Sequence, residues 1–217
     1  MRVIYLHGFA SSARSTKAQF FAERFAQVGV PLITPDLNAP DFSTLTVSRM
    51  LDEVGTVIAR GAPGPVALIG SSLGGFVAWH AAARLSLVLP RHTISHLVLL
   101  APALAFGRNR QDDFGPGVVD AWERAGTRDI FHHGDGDLRP LHYEFYRDAM
   151  AYPAWHAPVS QPTLIFQGTQ DEVVPAPGVV AFCAGRSNVT LRLLEDGHQL
   201  LGHLEQIWQE TQTFLGC

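Results

Sequence analysis

Val66-Ala67-Leu68-Ile69-Gly70-Ser71-Ser72-Leu73-Gly74-Gly75 is the stretch that decides how this chain folds. Its first four residues are an apolar, partly β-branched run of the kind buried on both faces of a parallel sheet. Gly70 to Gly74 then spell Gly-x-Ser-x-Gly, and the alanine-rich run Phe76-Val77-Ala78-Trp79-His80-Ala81-Ala82-Ala83-Arg84-Leu85 that follows has the composition of a helix. Strand, tight turn, helix is the order that lifts a serine clear of a sheet edge. The turn imposes strained backbone angles at the serine and excludes bulky neighbours, and Gly70 and Gly74 meet that need. Ser72 is therefore a candidate nucleophile. An ordinary Gly/Ser loop would show the same five letters, so the surroundings have to carry the assignment.

Working outward, strand-like and helix-like segments alternate, which predicts an α/β domain with a mostly parallel sheet. Residues 3–7 read as the first strand, followed by a helix from about Ser15 with Phe21, Phe25 and Val28 turned to the sheet. Residues 31–36 read as a second strand. Val47, Met50, Leu51, Val54, Val57 and Ile58 mark an amphipathic helix that Ser43 could cap. Further buried strands are expected over residues 94–101, 163–166 and 189–194. Leu200, Leu204, Ile207, Thr211 and Phe214 then fall at helical spacing in a final helix. The alternation breaks once, over residues 104–158, an irregular insertion rich in aromatics, among them Phe106, Phe114, Phe131, Tyr143, Phe145 and Tyr146. A long insertion after a central strand is more often a functional cover than disorder, and aromatics argue against disorder.

Composition sets the bounds. A chain of 217 residues without a linker-like tract predicts a single domain, residues 1–217, with the insertion inside it. With 16 Lys and Arg against 20 Asp and Glu, a net charge of −4 and no basic stripe, neither nucleic acid nor an anionic membrane surface is the expected partner. A small-molecule substrate fits better. No apolar run approaches membrane-spanning length, and the chain opens on a short strand-like run, so a soluble, unprocessed, cytoplasmic protein is expected. Cys183 and Cys217 make neither a metal spacing nor a disulfide framework. The oligomeric state is not legible.

A serine hydroxyl is a poor nucleophile at neutral pH. It needs a histidine to take its proton and an acid to orient the imidazole and stabilise its charge. Both can follow the serine, each in a loop after a strand, in the order acid then histidine. Asp171, in Gly168-Thr169-Gln170-Asp171-Glu172-Val173, and His198, in Glu195-Asp196-Gly197-His198, stand in those places. Glu172 and Asp196 are rival acids, but Asp196 is only two residues from His198. The oxyanion of a tetrahedral intermediate needs backbone donors. The Leu73 N–H, after the nucleophile, and the Phe9 N–H, in His7-Gly8-Phe9, are the candidates. His7 precedes the serine and is expected to order its loop by hydrogen bonding. His132, His133 and His142 with Asp135 and Asp137 match no metal-ligand spacing, so no metal is predicted.

Tyr5-Leu6-His7-Gly8-Phe9-Ala10-Ser11-Ser12, Ser15-Thr16-Lys17-Ala18, Gly70-Ser71-Ser72-Leu73-Gly74-Gly75, Gly168-Thr169-Gln170-Asp171-Glu172-Val173 and Gly197-His198 together resemble the small bacterial α/β-hydrolase esterases of the YqiA/YcfP type. The resemblance reaches both ends of the chain and leaves out the insertion. It implies an α/β-hydrolase fold and a carboxylesterase with Ser72, Asp171 and His198 as its triad and no cofactor. Phe9 stands where those esterases lead one to expect a polar residue. The combined expectation is a serine hydrolase acting on esters of small or medium acyl groups, with Phe106, Phe131, Tyr143, Tyr146 and Val173 contacting substrate. A thioesterase, or a binding protein that has lost catalysis on the same fold, are the alternatives.

Overall fold

The computed structural model describes residues 1–85, 91–108 and 113–217. In chain order the elements are β1 (Arg2–Leu6), α1 (Thr16–Gln27), β2 (Leu32–Ile33), α2 (Val47–Arg60), β3 (Gly64–Ser71), α3 (Leu73–Leu85), β4 (His92–Leu100), α4 (Val118–Ala125), β5 (Thr127–His132), β6 (Asp137–His142), α5 (Glu144–Ala149), β7 (Thr163–Gly168), α6 (Ala176–Cys183), β8 (Val189–Leu194) and α7 (Leu204–Leu215). The order across the main sheet is β2-β1-β3-β4-β7-β8, and every pairing in it is parallel. This is the α/β-hydrolase architecture.

Strand side chains alternate between two cores because successive residues point to opposite faces. Ile4, Leu6, Val66, Leu68, Leu97, Leu99 and Ile165 face one core, which also holds α2, α3 and the insertion. Val3, Tyr5, Ala67, Ile69, Val98, Leu100 and Phe166 face the other, shared with α1 and α7. The central strands are thus buried on both sides, which is why they read as unbroken apolar runs.

The sequence is a poorer guide at element ends. Ser15 does cap α1, accepting from Ala18 N, but Val28 lies at its C-terminal end and is exposed instead of facing the sheet. The second strand shortens to two residues. Ser43 does not cap α2. It lies in a 3-10 turn, Phe42–Thr44, capped by Asp41, and the Thr46 hydroxyl accepts from Arg49 N at 3.1 Å. Leu200 precedes α7 in a left-handed conformation, φ +56°.

The insertion is not irregular. It contains α4, the antiparallel hairpin β5-β6 and α5, and its described part is tied to the sheet domain at several points; residues 109–112 lie outside the described set. Asp148 accepts from both the backbone N–H and the hydroxyl of Ser48 at 2.8 and 2.6 Å, fixing α5 to the start of α2. Trp79 Nε1 donates to Ala154 O at 3.0 Å, and His133 N donates to Ala10 O at 2.7 Å. Among the described residues no helix is long and apolar enough to cross a membrane.

The turn between β3 and α3 is packed backbone against backbone. Ser72 has φ +53°, and its N–H crosses to Leu100 O at 2.9 Å. A Cβ on Gly74 would collide with the backbone oxygen of Leu6, so α3 can lie against β1 only if this residue has no side chain. Gly74→Ala should therefore lower stability by about 3 kcal/mol, the upper end for overpacking, read as a lower urea midpoint at unchanged slope. A midpoint equal to wild type would show that β1 and α3 can separate freely.

Candidate active site

All five residues expected at the reaction centre arise where parallel strands end, on one edge of the sheet: Phe9 after β1, Ser72 and Leu73 after β3, Asp171 after β7 and His198 after β8. The elbow holds Ser72 Oγ 3.1 Å from His198 Nε2, and His198 Nδ1 lies 2.8 Å from Asp171 Oδ2. Asp171 is buried, and its carboxylate also accepts from Val173 N at 2.9 Å, Val174 N at 2.8 Å and Gln167 Nε2 at 2.9 Å. Burial works to raise its pKa, but these donors and His198 outweigh it and hold the carboxyl below the ordinary carboxylate range. Asp171 is therefore ionised, and His198 Nδ1–H donates to it, which leaves Nε2 as the acceptor facing the Ser72 hydroxyl.

Asp196 is turned away. It accepts from Gly197 N, Gly202 N and His203 Nδ1 at 2.8, 2.9 and 3.1 Å, so it folds the loop that carries His198 without touching that imidazole. Glu172 stands in the wall of an adjoining cavity and makes no contact with His198.

The direction of one of the two candidate oxyanion donors, the Phe9 N–H, is set by a single peptide unit. His7 Nε2 accepts from Leu37 N at 3.0 Å, so the ring's hydrogen lies on Nδ1, which donates to Gly8 O at 2.9 Å. The Gly8 carbonyl and the Phe9 N–H belong to the same trans peptide plane and point in opposite directions. Pinning the carbonyl to His7 therefore aims the Phe9 N–H. Gly8 itself presses on the elbow: a Cβ there would lie 3.3 Å from Ser71 O and 3.4 Å from Ser72 Cβ. Among the described residues, neither the Phe9 nor the Leu73 N–H has a protein acceptor.

Two cavities meet at Ser72. One, of about 440 Å³, is apolar and lined by Phe9, Leu73, Phe106, Phe114, Phe145, Val173, Val174 and Pro175, with Asp113 and Glu172 as its charged members. The other, of about 670 Å³, is polar and includes His198. Of the five residues expected against substrate, Phe106 and Val173 line the apolar cavity and three do not. Phe131 lies on β5 between buried Ile130 and His132, and strand alternation turns it out to 50 % exposure beside His133. Tyr146 is buried behind the wall, its hydroxyl donating to Asp113 Oδ2 at 2.6 Å. Tyr143 packs on Trp122 and Tyr146. Phe114 and Phe145 take the places expected of these three, and no periodicity in the insertion marked them. Phe9 stacks on Phe145 at 5.1 Å, which explains an apolar residue there: it joins the loop after β1 to the insertion. His132, considered above as a metal ligand, is buried, with Nδ1 accepting from Asp135 N and Nε2 facing Asn38 Nδ2. No three His, Cys, Asp or Glu side chains converge as a metal site among the described residues.

Fold and site together define an α/β-hydrolase-fold protein with a serine, a histidine and an aspartate in one hydrogen-bonded row. The chain belongs to the uncharacterised protein family UPF0227, which it matches over residues 2–215. No curated protein sequence matches it. Among solved structures it is similar to a candidate hydrolase from Agrobacterium vitis S4, with a TM-score of 0.85 and 23 % identity over 98 % of this chain and 87 % of that one. Est1E from Butyrivibrio proteoclasticus, solved with ferulic acid bound, has a TM-score of 0.80 and 23 % identity over 98 % and 87 % of the two chains. An esterase from Exiguobacterium antarcticum has a TM-score of 0.75 and 18 % identity over 100 % and 92 %. At these identities the likeness establishes the fold.

The two hydrogen bonds of His7 require opposite roles from its two ring nitrogens. Long-range 15N–1H correlation spectra should therefore show His7 as the neutral tautomer with its hydrogen on Nδ1. A signal from the Nε2–H form would mean that the Gly8 carbonyl is not held in this way.

Proposed function

We propose that this chain is a serine hydrolase that cleaves carboxylic esters of small or medium acyl groups through an acyl-enzyme. The observation that carries the reading is the row from Ser72 through His198 to Asp171, opening on a cavity beside two unengaged backbone N–H groups. Ser72 Oγ attacks the ester carbonyl carbon while His198 Nε2 takes its proton. The charge on the carbonyl oxygen falls between the N–H groups of Phe9 and Leu73, an arrangement in which one donor is commonly worth about 10²–10³ in rate. As the carbon–oxygen bond to the alcohol breaks, His198 returns the proton to the departing oxygen. Water then enters: its oxygen bonds the acyl carbon as His198 Nε2 takes its proton, and His198 passes that proton to Ser72 Oγ as the bond between Oγ and the acyl carbon breaks and the acid leaves. Asp171 fixes the imidazole tautomer and balances its charge. No step calls for a cofactor.

The acyl group belongs in the apolar cavity, whose 440 Å³ suits a short or medium chain. The insertion supplies Phe106, Phe114 and Phe145 to that wall, so it acts as a cover that sets acyl preference.

Ser72→Ala should abolish hydrolysis of p-nitrophenyl butyrate and labelling by a fluorophosphonate probe, while Ser71→Ala keeps most of both. Asp171→Asn should lower kcat by about 10⁴, because an amide leaves the imidazole in the wrong tautomer, whereas Asp196→Asn should cost about tenfold or less, in keeping with its place off the imidazole. Retained turnover in Ser72→Ala removes the nucleophile. A wild-type protein that is neither labelled nor active is a binding protein on a hydrolase fold.

Acyl preference offers a separate measurement. Phe106→Ala and Phe114→Ala should change the ratio of kcat/KM between acetate and octanoate esters by about tenfold or more, since a methylene against such a wall is worth 10–200-fold. Phe131→Ala, off the cavity, should leave the ratio as it is. Equal ratios in all four proteins would mean that the acyl group binds elsewhere.

A further inference from the structure

The second cavity beside Ser72 differs in kind from the first. Its floor and walls come from the end of β1, the first turn of α1, the tip of the β5-β6 hairpin and the loop after His198. Tyr5, Ser12, Arg14, Ser15, Lys17 and His133 are among its lining residues, and among the described residues no carboxylate is. We propose that this cavity holds the alcohol portion of the substrate and is built for a leaving group that carries an anionic oxygen group, a carboxylate or a phosphate. The inference rests on the serine-hydrolase reading and extends it to the class of alcohol.

The assignment of sides follows from the chemistry of the row. His198 must protonate the departing oxygen, so the leaving group has to lie on the His198 side of Ser72. His198 and Gln199 line the polar cavity and are absent from the apolar one.

The preference for an anion rests on two independent observations. First, α1 begins in the cavity wall. Ser15 caps Ala18 N, and among the described residues the N–H groups of Thr16 and Lys17 have no protein acceptor. Free N–H groups at the start of a twelve-residue helix favour an anion. Arg14 is exposed at the same turn, and Lys17, only 6 % exposed, bonds through Nζ to Gln199 O at 3.0 Å and Gln199 Oε1 at 3.3 Å. Burial lowers the Lys17 pKa to about 8, with Asp171 and Asp196 drawing it back up from outside the cavity wall.

Second, Tyr5, one of the residues lining the cavity, carries a buried hydroxyl that completes no hydrogen bond among the described residues. The residue is 1 % exposed, and its Oη lies near the hydroxyls of Ser15 and Ser71 without reaching hydrogen-bond geometry with either. A buried hydroxyl left unpaired is a cost to folding. A substrate oxygen entering between β1 and the start of α1 would satisfy it. The free N–H groups and the unpaired phenol thus want the same thing, an acceptor rich in electron density.

The test compares three butyrate esters that differ only at the para position of the phenol: 4-carbamoylphenyl, 4-carboxyphenyl and 4-(phosphonomethyl)phenyl butyrate. For each, kcat/KM is divided by the rate of hydroxide-catalysed hydrolysis, which removes intrinsic reactivity. The expected result is that at least one anionic ester exceeds the neutral one by about tenfold or more in wild type, charge-assisted bonds being roughly twice as strong as neutral ones. The carboxylate and phosphonate arms show which group the cavity prefers. Arg14→Gln, Lys17→Met and Tyr5→Phe should each reduce that advantage severalfold, and Tyr5→Phe should melt at the wild-type temperature or above it, because it removes an unpaired buried group. A hydroxyl present for structure alone would instead lower the melting temperature on removal. Equal corrected rates for the three esters in wild type, or an advantage that survives Arg14→Gln and Tyr5→Phe, overturns the inference while leaving the hydrolase reading in place. Absence of turnover on all three esters overturns that reading and this inference with it.

Discussion

The site depends on one strained residue. Ser72 is held at φ +53° where β3 turns into α3, a conformation that costs on the order of 1–3 kcal/mol for a residue with a side chain. The neighbours make it the only conformation available. Ser72 N–H is bonded to Leu100 O on the next strand, Ser72 O accepts from Gly75, Phe76 and Ala103, and α3 lies against β1 through Gly74. The same contacts that impose the strain aim the hydroxyl at His198. They also bring Gly8 against the elbow, so the loop with the Phe9 N–H is built to the position of Ser72.

From that constraint the surroundings divide into two kinds of wall. The aromatic wall is hydrophobic packing continued outward from the core: Phe9, Phe106, Phe114 and Phe145 contact one another as core residues do, and the cavity is the gap they leave. The polar wall is made of groups that the fold leaves unsatisfied, the first N–H groups of α1 and the Tyr5 hydroxyl. A fold removes such groups where it can. Here they belong to residues that line a cavity shared with Ser72 and His198.

The sheet and the triad geometry were legible because each rests on local pattern. Buried strands announce themselves as apolar runs, and Ser72 and Asp171 each follow one, while His198 follows β8, expected to be buried but half exposed because it is the edge strand; chain order and spacing still brought the three together. The cavity walls were not legible. Phe131 and Phe145 look alike as letters, but one lies on the outward face of a two-stranded hairpin and the other on the inner side of a short helix. Neither β5 nor α5 is long enough to show a period, at six residues each. The polar cavity was hidden for another reason. Its residues come from five separate segments, and its character rests in part on groups that lack a partner, which no sequence pattern records.

All strands of the main sheet run in parallel, so the loops that carry Phe9, Ser72, Asp171 and His198 come from four different strands and meet only when those strands are paired. His198 follows β8, an edge strand with one neighbour, β7, and a largely exposed outer side. Edge segments open at lower free energy than the centre of a sheet. Release of β8 alone would carry His198 away while Ser72 kept its elbow and both N–H donors, leaving a protein that is nearly native by most probes and chemically silent. On the serine-hydrolase reading, competence at this site therefore requires the edge strand β8 to be docked, a condition that the Ser72 elbow itself does not share.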